Sequence, residues 1–352
     1  MSNAIVIINT ESTYLSEQCK SLGYDTYVID AYKANNFDIL DNLKKLQQYL
    51  NNISDESDNI SLIYGSGLEN KLDAQHILSS STNVAGNNFR NFNIASDKHS
   101  IKKIIESYNL QIPGTYSTDD NTNRKYLSKP IYSFGGYNIK FDNKCQKNFY
   151  IEEYISGTTL SISFFMNKGE FYFLGINKLL LLKNFTPHPF IHAGALMNNK
   201  YLPQEKIKYF ESLAIDLSLN GYNTIDFKIT NDEIYILDIN PRITSTFKIY
   251  NDMHKNILLK SLINPSDELV LYENNLFYGF VNIFLKEDQI YTGEFNQDSN
   301  FICLPRNYEK VKKNQPFLTI YSSSKSHQEL IDKLKEKISI LSDYYNCYDI
   351  DI

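Results

Sequence analysis

Apolar residues run together at Ala4-Ile5-Val6-Ile7-Ile8, at Tyr27-Val28-Ile29 and at Ile60–Tyr64. Apolar runs of this length predict buried strands. Between the first two, the stretch Tyr14–Leu22 predicts a helix stopped by Gly23, and Ile39–Leu50 predicts another. Strands alternating with helices predict an open parallel α/β sheet whose ligand edge lies at the strand C-termini. The third strand ends there in Gly65-Ser66-Gly67. Further on, Ile101, Ile104, Ile105 and Tyr108 follow helical spacing behind a Ser96-Asp97 cap, and Pro113-Gly114 ends that unit. From Tyr126 to Met166 short apolar runs separated by turns predict an antiparallel lobe. Ile207, Phe210, Ala214 and Leu217 mark a helix stopped by Gly221. Thr224–Ile229 and Ile234–Ile239 predict a hairpin turning at Asn231-Asp232. A short helix after residue 250 precedes strands near Phe277–Leu285 and Leu318–Tyr321. A last helix, Ser326–Tyr344, places Leu330, Leu334, Ile338 and Leu341 on one face. The fold class is α/β, of a mixed α+β kind, without internal repeats.

Composition narrows the function. The 352 residues suffice for two or three domains. A net charge of −6 argues against nucleic acid as a partner. The cysteines at 19, 145, 303 and 347 form no CxxC pair, so neither a zinc site nor a disulfide framework is expected, and a reducing, cytoplasmic setting is the default. The N-terminal apolar run is too short for a signal sequence. The longest apolar stretch, Phe171–Leu182, contains Asn177 and Lys178, so no membrane helix is expected. There are only 14 glycines, and each glycine cluster therefore points to a backbone requirement.

Three segments carry candidate chemistry. In the first, a strand presents Lys129 and a loop follows with Ser133, Gly135 and Gly136. Adjacent glycines let backbone N–H groups approach phosphate oxygens while a lysine supplies positive charge. The segment also reads as a hairpin with a surface lysine. In the second, Glu152-Glu153-Tyr154-Ile155 precedes Gly157. A carboxylate and its flanking backbone can read an adenine edge, and an exposed acidic pair is the plainer reading. In the third, the hairpin puts Asp226 and Asp238 on paired strands, with Asn240 and Arg242 two and four residues beyond Asp238. Two carboxylates and an amide oxygen suit Mg²⁺ or Mn²⁺ shared with phosphates, and Arg242 can grip a phosphate or carboxylate. His188 and His192 are four apart, but Pro187 and Pro189 exclude a helix between them, so a zinc pair is not expected.

These segments, in this order, resemble the ATP-grasp superfamily. The resemblance implies an N-terminal Rossmann-like domain over 1–95, an ATP-binding module over 96–250 with a mobile lid at about 126–165, and a C-terminal closing domain over 251–352. It implies that Lys98 and Lys129 contact ATP phosphates and that Ser133–Gly136 form a mobile Gly-rich loop. Glu152, Glu153, Tyr154 and Ile155 match the adenine hinge, with Thr159 at the ribose position. Asp226, Asp238 and Asn240 match the metal ligands, and Arg242 and Lys129 take catalytic roles. Many relatives place a glutamate where Thr159 stands. Most of the chain is similar to predicted ATP-dependent carboligases related to biotin carboxylase, which occur with tetrahydromethanopterin- and methanofuran-linked one-carbon metabolism. That group's setting implies a place in one-carbon carrier biosynthesis. Arg242 is followed by Ile243-Thr244-Ser245-Thr246 rather than an acidic continuation, and the basic bicarbonate cluster has no match, so biotin carboxylation is not expected.

The expected reaction joins a small-molecule carboxylate to an amine through an acyl phosphate, releasing ADP and phosphate. Gly65, Ser66 and Gly67 are the candidate acid-substrate site, and a tight turn is the plainer reading of them. A bicarbonate-dependent carboxylase and a non-catalytic nucleotide-binding partner protein are the alternatives. A homodimer is compatible with the reading.

Overall fold

The computed structural model describes residues 4–9, 12–30, 60–67, 83–116, 125–131, 135–144, 146–265 and 269–352. The helix expected at Ile39–Leu50, Ser133 and the side chain of Lys98 lie outside the described residues.

Strands β1 (Ala4–Asn9), β2 (Asp25–Asp30), β3 (Ile60–Tyr64) and β4 (Asn83–Val84) form a parallel sheet in the order β2-β1-β3-β4. Helix α1 (Thr13–Ser21) returns from β1 to β2 and buries Leu15 and Cys19. Gly23, at φ 87°, lets the chain leave the helix, with the Tyr24 N–H donating back to the Cys19 carbonyl. The carboxyl ends of β1 and β3 place Asn9 and Gly65–Gly67 side by side. A Cβ at Gly65 would stand 2.4 Å from Asn9 Oδ1.

Two helices follow where one was expected. Helix α2 (Phe89–Ser96) is capped by Asn88, whose side chain accepts from the Asn91 N–H. Asp97 is extended, and α3 (Lys98–Ser107) begins beyond it. Ile101 and Ile105 of α3 are buried.

The remaining strands are β5 (Leu110–Gln111), β6 (Thr115–Tyr116), β7 (Tyr126–Pro130), β8 (Lys140–Phe141), β9 (Phe149–Glu153), β10 (Leu160–Asn167), β11 (Glu170–Leu181), β12 (His192–Met197), β13 (Gly221–Thr230) and β14 (Glu233–Asn240). The last five in chain order are β15 (Phe277–Phe284), β16 (Gln289–Ile290), β17 (Phe301–Ile302), β18 (Lys310–Val311) and β19 (Pro316–Ser324). Among the described residues a small sheet runs β6-β9-β7-β8, and a large one runs β17-β19-β15-β12-β11-β10-β13-β14-β5. The antiparallel lobe, expected to reach Met166, ends at β9, because β10 lies in the large sheet. Every β10 side chain is buried. Leu160, Ile162, Phe164 and Met166 enter the core beneath α3 and α4 (Gln204–Asp216), while Phe165 enters the core formed with α5 (Phe247–Met253) and α6 (Ile257–Ile263).

Helix α4 ends before Gly221. Ser218, at φ 50°, turns the chain, and the Leu219 N–H donates to the Ala214 carbonyl. Gly221 instead serves a close approach, since a Cβ there would meet Gly86 Cα at 2.8 Å. The large sheet continues past residue 250 through the β12–β15 and β15–β19 pairings. Helix α7 (His327–Ser342), capped by Ser326, buries Leu330, Leu334 and Leu341 against this part. Among the described residues no helix is long and apolar enough to cross a membrane.

Candidate active site

The two sheet systems enclose a cavity of 1420 Å³. Its wall includes Ser66, Lys129, Gly135, Gly136, Glu152, Glu153, Tyr154, Ile155, Thr159, Asp226, Asp238, Asn240 and Arg242. Residues far apart in sequence are thus brought to one cleft. Gly65 and Gly67 adjoin Ser66 without being part of the wall, and Gly67, at φ 106°, completes the turn after β3.

Sheet register places the acids. Asp226 on β13 lies opposite Asp238 on β14, and the turn between the strands uses Asn231 and Asp232 at φ 51° and 64°. Asn240 Nδ2 donates to Asp226 Oδ2 at 3.2 Å. Arg242 Nη2 donates to Asn240 Oδ1 at 2.9 Å, and Nη1 donates to Ser66 Oγ at 2.8 Å. The Asn240 oxygen expected beside the carboxylates is therefore held by Arg242. The same guanidinium ties the hairpin to the end of β3. Burial raises the Asp226 carboxyl from its ordinary value to about 6, and the neighbouring Asp238 charge acts in the same direction. A pair of facing acids that resists full ionisation is a donor set whose charge a divalent cation offsets. Asp226, Asp238 and, after carboxamide rotation, Asn240 fit such an ion.

Lys129 on β7 and Glu152 on β9 are diagonal neighbours, since Lys129 lies opposite Tyr150. Their side chains meet at 2.8 Å, with Lys129 12% and Glu152 2% exposed. Thr159 lines the cavity, and its carbonyl accepts from the Leu179 N–H.

The Gly-rich loop is held from the opposite wall. The His192 N–H donates to the Gly135 carbonyl at 3.0 Å, and the Asn138 N–H donates to His188 Nδ1 at 3.3 Å. A Cβ on Gly136, at φ 81°, would lie 1.8 Å from the Phe190 carbonyl oxygen. The two histidines thus seat a loop. Burial in the wall lowers the His192 imidazole to about 4.

Lys228 was not anticipated. It is buried, donates to the Ile155 carbonyl at 2.8 Å and sits 4.8 Å from the centre of the Tyr154 ring. Burial, reinforced by the charge of Lys129, lowers its ammonium. Strand alternation from Asp226 was the available signal. Asn87 was also missed. It is 2% exposed and donates to Asn223 Oδ1 at 2.7 Å and to the Pro241 carbonyl at 3.1 Å. A lone asparagine in a loop gives no sequence signal for such a role.

With these residues in place, residues 95–246 match the model of the ATP-grasp domain. This part of the chain is similar to ATP-grasp domains. An uncharacterized protein of Methanocaldococcus jannaschii is 26% identical over 255 residues, 68% of this chain and 63% of that protein. The tyramine–L-glutamate ligase of Methanocaldococcus fervens is 33% identical over 155 residues, 44% of this chain and 47% of the ligase. The matched part is thus about half to two thirds of these relatives' length. Among solved structures, the biotin carboxylase domain of the Hydrogenobacter thermophilus 2-oxoglutarate carboxylase, a dimer with MgADP, ADP and bicarbonate, superposes with a TM-score of 0.75. That likeness is at 11% identity over 99% of this chain and 92% of that one, and it shows the ATP-grasp fold along the whole chain.

Proposed function

We propose that this protein is an ATP-dependent carboxylate–amine ligase acting on small molecules. The observation that carries the reading is the continuous chain Asp238–Asp226–Asn240–Arg242–Ser66 along one cavity wall. Residues 1–95 supply Ser66, the module over 96–250 supplies the acids and lid, and residues 251–352 close the cleft. A divalent metal ion, Mg²⁺ or Mn²⁺, would supply charge neutralisation between the ATP phosphates and the two acids. Asp226 and Asp238 hold that position, while Lys129 and Lys98 provide positive charge for the phosphates. Glu152 to Ile155 frame the base and Thr159 meets the ribose. Arg242 orients the acid substrate's carboxylate, with Ser66 fixing the guanidinium, so that it attacks the γ-phosphoryl group in line. The seated Gly135-Gly136 loop excludes water from the acyl phosphate until an amine displaces phosphate.

The name of the Methanocaldococcus fervens relative suggests glutamate and tyramine as first substrates to test. The expected result is ADP release that needs MgATP, the acid and the amine together. Lys129→Ala and Asp238→Ala should each lower it at least 100-fold. Full turnover in either variant would remove the site assignment. ADP release that needs bicarbonate and no amine would favour a carboxylase instead.

A further inference from the structure

In the wall of the same cavity stands a buried cation that the reaction described above does not use. Lys248, on α5, is 8% exposed and lines the cavity. Its ammonium lies 5.4 Å from the centre of the Tyr14 ring and 5.7 Å from that of Tyr321. Among the described residues its one hydrogen-bond contact is Cys303 Sγ at 4.0 Å, a weak acceptor. No carboxylate lies within ion-pair distance of it among the described residues.

The surrounding groups are fixed. Tyr14 O–H donates to Asp252 Oδ1 at 2.5 Å and accepts from Asn251 Nδ2 at 2.9 Å, which locks the Tyr14 ring beside the ammonium. Asp252 bonds Tyr14 and is not part of the cavity wall; the Lys248 charge acts on its carboxyl against the effect of burial, without an ion-pair contact between the two. A desolvated ammonium is costly without an anion, and flanking aromatic faces offset part of that cost while leaving its N–H donors unused. Donors arranged in this way suit an anion delivered by the cavity's contents.

We propose that Lys248 anchors a carboxylate that the reaction leaves untouched, so that the acid substrate is a dicarboxylate or an acidic amino acid. This rests on the carboxylate–amine ligase reading. Arg242 and Lys248 lie six residues apart, joined by the Thr244–Thr246 turn, and both face the one cavity. In this proposal a small diacid places one carboxylate at Arg242 for phosphorylation and the other at Lys248. Carboxylate at Lys248 also provides a reason for selectivity, because a monoacid would offer the ammonium's N–H donors no oxygen acceptor.

The test measures ADP release by the full chain with MgATP and tyramine, using glutarate, L-glutamate and the monoacid butyrate. The expected KM for at least one diacid is tenfold or more below that for butyrate. Lys248→Met should raise the diacid KM at least tenfold with kcat changed less than threefold and the KM for ATP and butyrate unchanged. Lys248→Arg should restore most of the preference, and an unaltered melting temperature with an unaltered Kd for MgATP shows that Lys248→Met is folded. Equal KM values for diacid and monoacid, or a preference that survives in Lys248→Met, would overturn the assignment of Lys248 alone. No ADP release with any acid, despite Mg²⁺-dependent ATP binding, would overturn the ligase reading and this inference with it.

Discussion

A carboxyl group buried in a cavity wall favours its protonated form, and Asp226 is held at about 6 by burial first and by the facing Asp238 charge second. Because the folded value lies above the ordinary one of 3.8, its contribution to stability is present below about pH 4 and lost as pH rises through 6. A gap of this size between the folded and unfolded protein is worth about 3 kcal/mol. Asp226→Asn removes the like-charge pair and keeps the shape. At pH 8 without metal it should be more stable than the wild type by about 1–2 kcal/mol in urea unfolding, while ADP release falls at least 100-fold. A less stable variant would mean that hydrogen bonds to the ionised carboxylate outweigh the repulsion. His192 acts in the opposite direction over the same range. Its folded value of about 4 lies below the ordinary 6.5, so its contribution is present above 6.5 and lost as pH falls through 4. The two effects oppose one another between about pH 4 and 6.5. The urea midpoint of the wild type should therefore change little from these two groups there. That of Asp226→Asn should rise with pH across the window, and that of His192→Asn should fall. Parallel slopes in all three proteins would remove this pairing.

At the scale of elements, the Gly135-Gly136 loop shows what sequence can and cannot tell. Scarce glycine made Gly135-Gly136 legible as a backbone requirement, and the left-handed φ at both positions agrees with it. The partner of that loop was not legible, because the Phe190 carbonyl is brought to Gly136 by the tertiary fold. The β13–β14 hairpin was readable almost to the residue from strand alternation and an Asn-Asp turn. The limit of the lobe was not, since β10 is buried on both faces although Ser161, Ser163 and Asn167 make one of them largely polar, and such alternation reads as a half-exposed strand. Helix α2 was missed because within its eight residues only Phe92 and Ala95 are buried. Gly136→Ala tests the lid directly. The Cβ forces the loop away from Phe190, so the protein should keep its melting temperature within a few degrees yet lose tightness of closure. The expected outcome is amide formation lowered about tenfold with ADP release lowered less, as acyl phosphate is lost to water. Equal loss of both products would mean that the loop serves ATP binding and not exclusion of water.

At the scale of the whole molecule, the site exists only where the N-terminal sheet meets the β13–β14 hairpin. Arg242 to Ser66 is one link. Asn87 is another, and it is fully engaged: its Nδ2 serves Asn223 and Pro241, and its Oδ1 accepts from the Asn220 N–H at 2.8 Å. Tyr64, at the end of β3, donates to the Asn87 carbonyl at 2.7 Å. Pro241 separates Asn240 from Arg242, so the bond to its carbonyl sets the direction in which both side chains leave the strand. Asn87→Leu retains the volume and leaves the Pro241 carbonyl, the Asn220 N–H and Asn223 Oδ1 without this partner. Buried polar groups left unpaired cost about 1–3 kcal/mol each, and part of that is recovered by water or local movement. A loss of about 2–4 kcal/mol in urea unfolding is therefore expected. Placement of Arg242 should suffer as well, because an error of about 1 Å at a reacting group can cost about 100-fold in rate. The Kd for MgATP should change little if, as proposed, Lys129 and Glu152 to Ile155 hold the nucleotide, since Lys129, Glu152 and Glu153 stand on the small sheet. The combination of reduced kcat with retained ATP affinity separates a role in joining the two sheets from a general loss of folding, which would lower both together.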